Sequence, residues 1–168
     1  MNNTIALFSS SRRHGNTGRL LDSVAKNIKV DIVDLSKFNI SEYDYEHNNI
    51  NDDFIPLIHK VLEYEKIIFA SPVYWYSVTP TMKTFLDRIS DLLDLPELLE
   101  SGRRLRGKKS YVLCTSISDE VSTSFINAFN ETFEYLGMVN SGYIHANCAN
   151  GYKEEEYDSN LIQFINSF

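Results

Sequence analysis

A parallel β-sheet covered by helices on both faces is the fold this sequence predicts, and three observations predict it. Five short apolar runs alternate with five segments whose apolar residues recur at helical spacing. Apolar content of 43% and charged content of 23% are ordinary for a globular chain. At 168 residues the chain fills one sizeable core but not two, so residues 1–168 read as a single domain. Parallel neighbours demand crossover connections, and these are right-handed.

Taken in order, Thr4 to Phe8 (TIALF) is short and almost wholly apolar, a buried strand. Leu20, Leu21, Val24 and Ile28 then mark an amphipathic helix. Val30 to Leu35 alternates apolar and acidic residues, the pattern of a strand near a sheet edge. Residues 36–51 are polar and aromatic without periodicity, a long loop. Asn51 or Asp52 caps a helix with Phe54, Ile55, Ile58, Val61 and Leu62 on one face, and Pro56 lies in its tolerant first turn. Lys66 to Ala70 is the third strand. Thr79 as N-cap with Pro80 at the first position opens a helix burying Met82, Phe85, Leu86 and Ile89. Residues 94–109 read as a connection. Ser110 to Thr115 is the fourth strand. Val121, Phe125, Ala128, Phe129, Phe133 and Leu136 form a helix that Gly137 ends in the left-handed region. The fifth strand lies within Met138 to Cys148. Tyr157, Leu161, Phe164, Ile165 and Phe168 line the last helix, with Glu154-Glu155-Glu156 favourably placed at its start.

Charge and punctuation exclude several classes. A net charge of −7 argues against a nucleic-acid-binding surface and against docking on anionic lipid. No apolar run approaches the ~20 residues of a membrane span, and the first residues carry no basic segment followed by an apolar one. A cytoplasmic protein is the expectation. Cys114 and Cys148 lack metal-ligand spacing and read as two reduced, buried thiols.

The most distinctive stretch follows the first strand. Phe8 to Arg19 (FSSSRRHGNTGR) carries four hydroxyl side chains, three arginines, two glycines and no acid. A helix N-terminus offers free N–H groups and the positive end of its dipole to an anion. Serine and threonine hydroxyls add donors, and Arg12 offers a planar fork matched to phosphate. The stretch reads as a phosphate-binding loop. The plainer alternative is a strand-to-helix turn in which Asn16 or Thr17 merely caps the helix. It is not a nucleoside-triphosphate P-loop, which ends in Gly-Lys-Ser/Thr, nor a Gly-x-Gly-x-x-Gly dinucleotide turn. No cysteine is present to serve as a phosphatase nucleophile.

A second loop, Ser71 to Ser77 (SPVYWYS), follows the third strand and carries Tyr74, Trp75 and Tyr76. In the strand order 2-1-3-4-5, strands one and three are neighbours at the point where the order reverses, and ligands bind there at the strands' carboxyl ends. A phosphate site beside flat aromatic walls suits a ligand with a phosphate at one end and a planar ring at the other. The same aromatics could instead pack on a neighbouring helix or a second subunit.

These residues carry a resemblance. Ser10 to Thr17 (SSRRHGNT), Ser71 to Trp75 (SPVYW), Lys83 with Phe85 to Arg88 (FLDR), and Leu105 to Lys108 (LRGK) are similar to motifs of a known family. It is the flavodoxin-like NAD(P)H-dependent FMN reductase and quinone reductase family, especially small members related to iron–sulfur flavoproteins. The resemblance spans nearly the whole chain. It implies a flavodoxin-like, doubly wound five-stranded sheet, FMN as cofactor and NAD(P)H as co-substrate, with hydride passed on to a quinone, dye, ferric or free-flavin acceptor. It implies that Ser10, Arg12, Asn16 and Thr17 hold the FMN phosphate, with Ser9 and Ser11 nearby. Pro72, Val73, Tyr74, Trp75 and Tyr76 would border the ring, and Thr115 and Ser116, with Ile117, would form a third contact. The chain departs from the family at Ser9, where glycine is frequent, and at Ser116-Ile117-Ser118, which lacks the usual glycine. The loop after strand two holds no cysteine, so the cluster of the iron–sulfur relatives has no ligands there.

Because flavin carries its own redox chemistry, no acid–base side chain is assigned as catalytic. His14 reads as a solvated loop residue. His47, His59 and His145 are scattered, with no metal spacing and no paired nucleophile. The rival functions are a flavodoxin-type electron carrier, against which Arg12 and Arg13 argue, and a non-catalytic module of the same fold that binds a partner. Relatives of the family are commonly oligomeric. Tyr43, Tyr45 and Tyr76 are candidates for a contact in a homodimer or higher oligomer.

Overall fold

A computed structural model describes residues 3–168. The chain runs through β1 (Thr4–Phe8), α1 (Asn16–Asn27), β2 (Asp31–Asp34), α2 (Phe54–Val61), β3 (Lys66–Pro72) and α3 (Pro80–Arg88). It continues through α4 (Asp91–Asp94), α5 (Leu99–Arg103), β4 (Lys109–Ser116), α6 (Thr123–Tyr135), β5 (Val139–Asn147) and α7 (Asp158–Ile165). The sheet order is β2-β1-β3-β4-β5 and every pairing is parallel, the flavodoxin-like arrangement.

Alternation along the strands divides the core in two. Ile5, Leu7, Ile67, Phe69 and Val112 face α2, α3 and α6, where Phe54, Phe85, Phe129 and Phe133 pack against them. Ala6, Phe8, Ile68, Ala70 and Leu113 face α1 and α7, meeting Leu20, Leu21, Val24, Leu161 and Phe164. Strands buried on both faces must be apolar at consecutive positions, and β1 is buried at every one. The edge strand β2 buries only Val33 fully, which is why its sequence alternates with acids.

Four local expectations are corrected. Residues 94–109 are not a plain connection: the region from Asp91 holds α4, a 3₁₀ turn at Pro96–Leu98, and α5. These segments are too short to show a period. β3 runs two residues past Ala70, to Pro72. The N-cap of α2 is Asp53, without a side-chain cap bond; Asp52 Oδ1 instead accepts from the Phe54 N–H at 2.9 Å. Glu154–Glu156 form their own 3₁₀ turn ahead of α7. Glu154 there accepts from Lys26 Nζ at 2.6 Å and Ser23 Oγ at 2.8 Å, tying the segment after β5 to α1.

The long loop after β2 is fixed by one buried cation. Arg88, 1% exposed, donates through Nε to Asp91 at 2.6 Å and through Nη1 to Asp52 at 2.5 Å. It also donates to the backbone carbonyls of Ser41 (3.1 Å) and Asn49 (3.2 Å), and its guanidinium lies 4.9 Å from the Phe54 ring centroid. His47 Nδ1 meets the other Asp91 oxygen at 2.9 Å. Burial by itself pushes the Asp52 carboxyl up, but hydrogen bonds from Arg88 and the N–H groups of Ser41 and Phe54 outweigh it and hold it below the ordinary range.

Candidate functional site

The loop after β1 leaves α1 open at its N-terminus. Gly15 is the N-cap, no side chain caps the helix, and the first turn holds no acid. Neither Asn16 nor Thr17 does the capping that the plainer reading required. Asn16 Oδ1 accepts from the Tyr152 N–H at 3.2 Å, and the Thr17 hydroxyl bonds the Thr115 hydroxyl at 2.7 Å. The helix start therefore keeps donors and a positive dipole end for an external anion. Gly18 lets the loop fold back over this end: a Cβ there would sit 1.7 Å from the Arg13 carbonyl oxygen.

The loop's side chains divide by task. Arg12 is exposed and makes no ion pair among the described residues. The Arg13 guanidinium turns back to Asp22 at 2.6 Å and lies 5.3 Å from the Phe8 ring centroid. It braces the loop. The Ser9 side chain is buried and bonded to the Thr79 hydroxyl at 2.5 Å, so it joins the end of β1 to the cap of α3. Thr79 Oγ1 in turn accepts from the Met82 N–H at 3.4 Å, as its sequence position predicts. Ser10 stays half-buried in the loop, and Ser11 Oγ reaches the Tyr74 hydroxyl at 3.1 Å, linking the first loop to the second.

The second loop is a tight turn. Tyr74 and Ser77 exchange both backbone bonds, 2.8 and 3.0 Å, around Trp75 (φ 47°) and Tyr76 (φ 63°). Two successive positive φ values are the type I′ pattern, normally filled by Asn-Gly. Bulky aromatics there cost of order 1–3 kcal/mol each. The turn presents rings outward: Trp75 is 95% exposed and Tyr76 69%. They do not pack on a neighbouring helix.

Between this turn and the loop after β4 lies a crevice of about 700 Å³. Asn16, Pro72, Trp75, Thr115, Ser116 and Cys148 are among its walls, and Val73, Tyr74 and Tyr76 complete the turn's side. Ser10, Ser11 and Arg12 stand outside its lining. Thr17, beneath Thr115, supports the floor. Cys148 was missed by site reasoning because it follows β5 with no motif around it. Burial pushes its thiol up to about 11, so it stays protonated and serves as an apolar wall. Among the described residues no group of three or more His, Cys, Asp or Glu could hold a metal ion.

An anion-ready helix end opening beside a half-apolar crevice suits a ligand that is phosphorylated at one end and flat at the other. Comparison with known proteins agrees. The family described as NADPH-dependent FMN reductase matches residues 3–152. YwqN of Bacillus subtilis (strain 168), whose name describes an NAD(P)H-dependent FMN-containing oxidoreductase, is 27% identical over 142 residues. That alignment covers 80% of this chain and 78% of YwqN. An iron-sulfur flavoprotein of Archaeoglobus fulgidus is 30% identical over 153 residues, covering 83% of this chain and 66% of that one. The solved structure of the Trp repressor binding protein from Bacillus subtilis superposes with a TM-score of 0.72 at 22% identity, over 98% of each chain.

Proposed function

The chain belongs to the NADPH-dependent FMN reductase family, and on that premise we propose how its residues divide the work of an FMN-dependent NAD(P)H oxidoreductase. FMN, when bound, supplies the redox chemistry, accepting hydride from NAD(P)H and releasing electrons to a second substrate. The protein's part is binding, orientation and access. The single observation that carries the assignment is the uncapped, acid-free start of α1 beside the crevice walled by Pro72–Tyr76 and Thr115–Ser116.

The first-turn N–H groups of α1, with Ser10, Ser11 and Arg12, would hold the phosphate, and Asn16 would join the phosphate end to the crevice. Pro72, Val73, Tyr74, Trp75 and Tyr76 would border one side of the ring, and Thr115 and Ser116 the other. The exposed ring faces of Trp75 and Tyr76 leave the crevice open to a planar nicotinamide and then a planar or chelated acceptor: a quinone, dye, ferric complex or free flavin. Assaying NADH and NADPH oxidation by the FMN-loaded protein against each acceptor tests this. Turnover with a quinone, dye, ferric or flavin acceptor is expected. Oxidation of neither nicotinamide with any of them would sink the acceptor assignment.

We also propose that the protein is a homodimer or higher oligomer. Tyr45 (85% exposed), Trp75 (95%) and Tyr76 (69%) present large aromatic surface to solvent, the composition enriched at interface cores. Light scattering at micromolar concentration should give a mass that is a multiple of 19.3 kDa. A mass equal to one chain would discard the proposal.

A further inference from the structure

Ser116 and His145 join two cavities. Ser116 lines the crevice assigned to the flavin ring, and His145, on β5, lines a separate cavity of about 770 Å³ along the sheet edge. Ser116 Oγ and His145 Nε2 are 2.8 Å apart. His145 Nδ1 makes no hydrogen bond among the described residues, and the residue lines the outer cavity. Ser116 Oγ also accepts from the Ser118 N–H at 3.1 Å, and its hydroxyl has only a long contact, 3.4 Å, to the Ser118 carbonyl to give up when it donates elsewhere.

The reaction has a proton requirement that hydride alone does not meet. NAD(P)H gives up two electrons and one proton as hydride, so full reduction of a two-electron acceptor takes a second proton from water. We propose that Ser116 and His145 relay this proton from the outer cavity into the crevice, with Ser116 handing it over and His145 acting through it. Nδ1 takes a proton from water, Nε2 passes its own to Ser116 Oγ, and the serine hydroxyl proton moves to the acceptor. One proton crosses; serine ends as a neutral hydroxyl and the imidazole as the neutral Nδ1–H tautomer. Exchange with water restores the starting tautomer.

The surroundings suit a neutral imidazole that takes up protons transiently. Burial lowers the His145 pKa from its ordinary value. The titratable groups around it are Asp119 and Glu120 on the loop after β4, Tyr143 on its own strand and Tyr157 ahead of α7. Cys114 stands opposite it on β4, with its thiol pushed up to about 12 by burial. The buried face of α6, the helix packed on this side, offers only Phe125, Phe129 and Phe133. Asp119 is held by the Asn147 amide at 2.8 Å and leaves the imidazole free of a carboxylate clamp.

The relay rests on the crevice being the flavin site, and the experiment separates the two. His145→Gln keeps a donor near Ser116 but cannot titrate, and Ser116→Ala removes the link. Imidazole titration of His145 by NMR in apoprotein should move when Ser116 is replaced by alanine. In the loaded enzyme, wild-type kcat should fall with rising pH through the imidazole pKa so measured. Each variant should lose about a hundredfold at pH values below that pKa, the lower end of the range for general acid–base help, and lose that pH break. An unmoved titration in Ser116→Ala, or a wild-type pH profile retained in His145→Gln, would overturn the relay. Quenching of Trp75 emission by FMN, measured alongside, reports on the crevice assignment independently, since Trp75 lines the crevice and its emission reads flavin position rather than proton transfer.

Discussion

Replacing Arg88 with leucine should lower folding stability by about 3–5 kcal/mol, the usual cost of leaving buried charge without its partner. The guanidinium is sealed from solvent between Asp52 and Asp91, and it also holds the Ser41 and Asn49 carbonyls. Leucine restores none of these partners, and two carboxylates remain in a poorly hydrated pocket. The pH dependence carries a second signature. Asp52 is held below its ordinary pKa in the folded state, so its contribution is present above the unfolded value and lost as pH falls through the folded one. The deficit of Arg88→Leu should therefore be full near pH 7 and narrow as pH falls below the ordinary aspartate value of about 3.9, through the lower folded-state value of Asp52. Urea denaturation of wild type and variant at pH 7 and pH 3 checks both. A loss under about 1 kcal/mol at pH 7, the scale of an exposed ion pair, would show that Arg88 does not organise the loop.

Arg12→Ala should weaken FMN binding about tenfold to a hundredfold while leaving stability unchanged. The side chain is exposed and makes no ion pair among the described residues, so its removal uncovers nothing in the core. A charge-assisted contact to phosphate is worth roughly 1.5–3 kcal/mol, which sets the size of the loss. Riboflavin lacks the phosphate, and its affinity should be indifferent to the substitution. Arg13→Ala should behave differently, costing stability through Asp22 and Phe8. Equal losses for FMN and riboflavin in Arg12→Ala would remove Arg12 from the phosphate site.

Much of this was legible in the chain because local pattern and global fold agree. Every strand and each longer helix announces itself by period, by caps such as Thr79-Pro80, or by the left-handed Gly137, whose φ is 69°, whereas the short α4 and α5 do not. The strand order came with the flavodoxin-like resemblance, and in that order the two distinctive loops meet at one crevice, as the sheet β2-β1-β3-β4-β5 shows. What stayed hidden is the pairing of polar side chains across the sheet. Ser9 with Thr79, Thr17 with Thr115 and Ser116 with His145 are separated by 70, 98 and 29 residues, and no spacing rule links them. The bracing role of Arg13 was equally hidden, because it depends on Asp22, two turns into α1, lying against the loop. The turn at Trp75-Tyr76 was invisible for a different reason. Its backbone takes a conformation those residues disfavour, so propensity points away from it.

The claim on which the function rests is that FMN occupies the crevice beside the Pro72–Tyr76 turn. Trp75 is the one tryptophan in the chain and stands on that turn, so indole emission reports on this position alone. Oxidised flavin absorbs where indole emits. Adding FMN to apoprotein should therefore quench Trp75 emission stoichiometrically, saturating at one FMN per chain, and Arg12→Ala should shift the curve to higher FMN concentration. Undiminished emission at saturating FMN would place the flavin away from this turn and contradict the site described here.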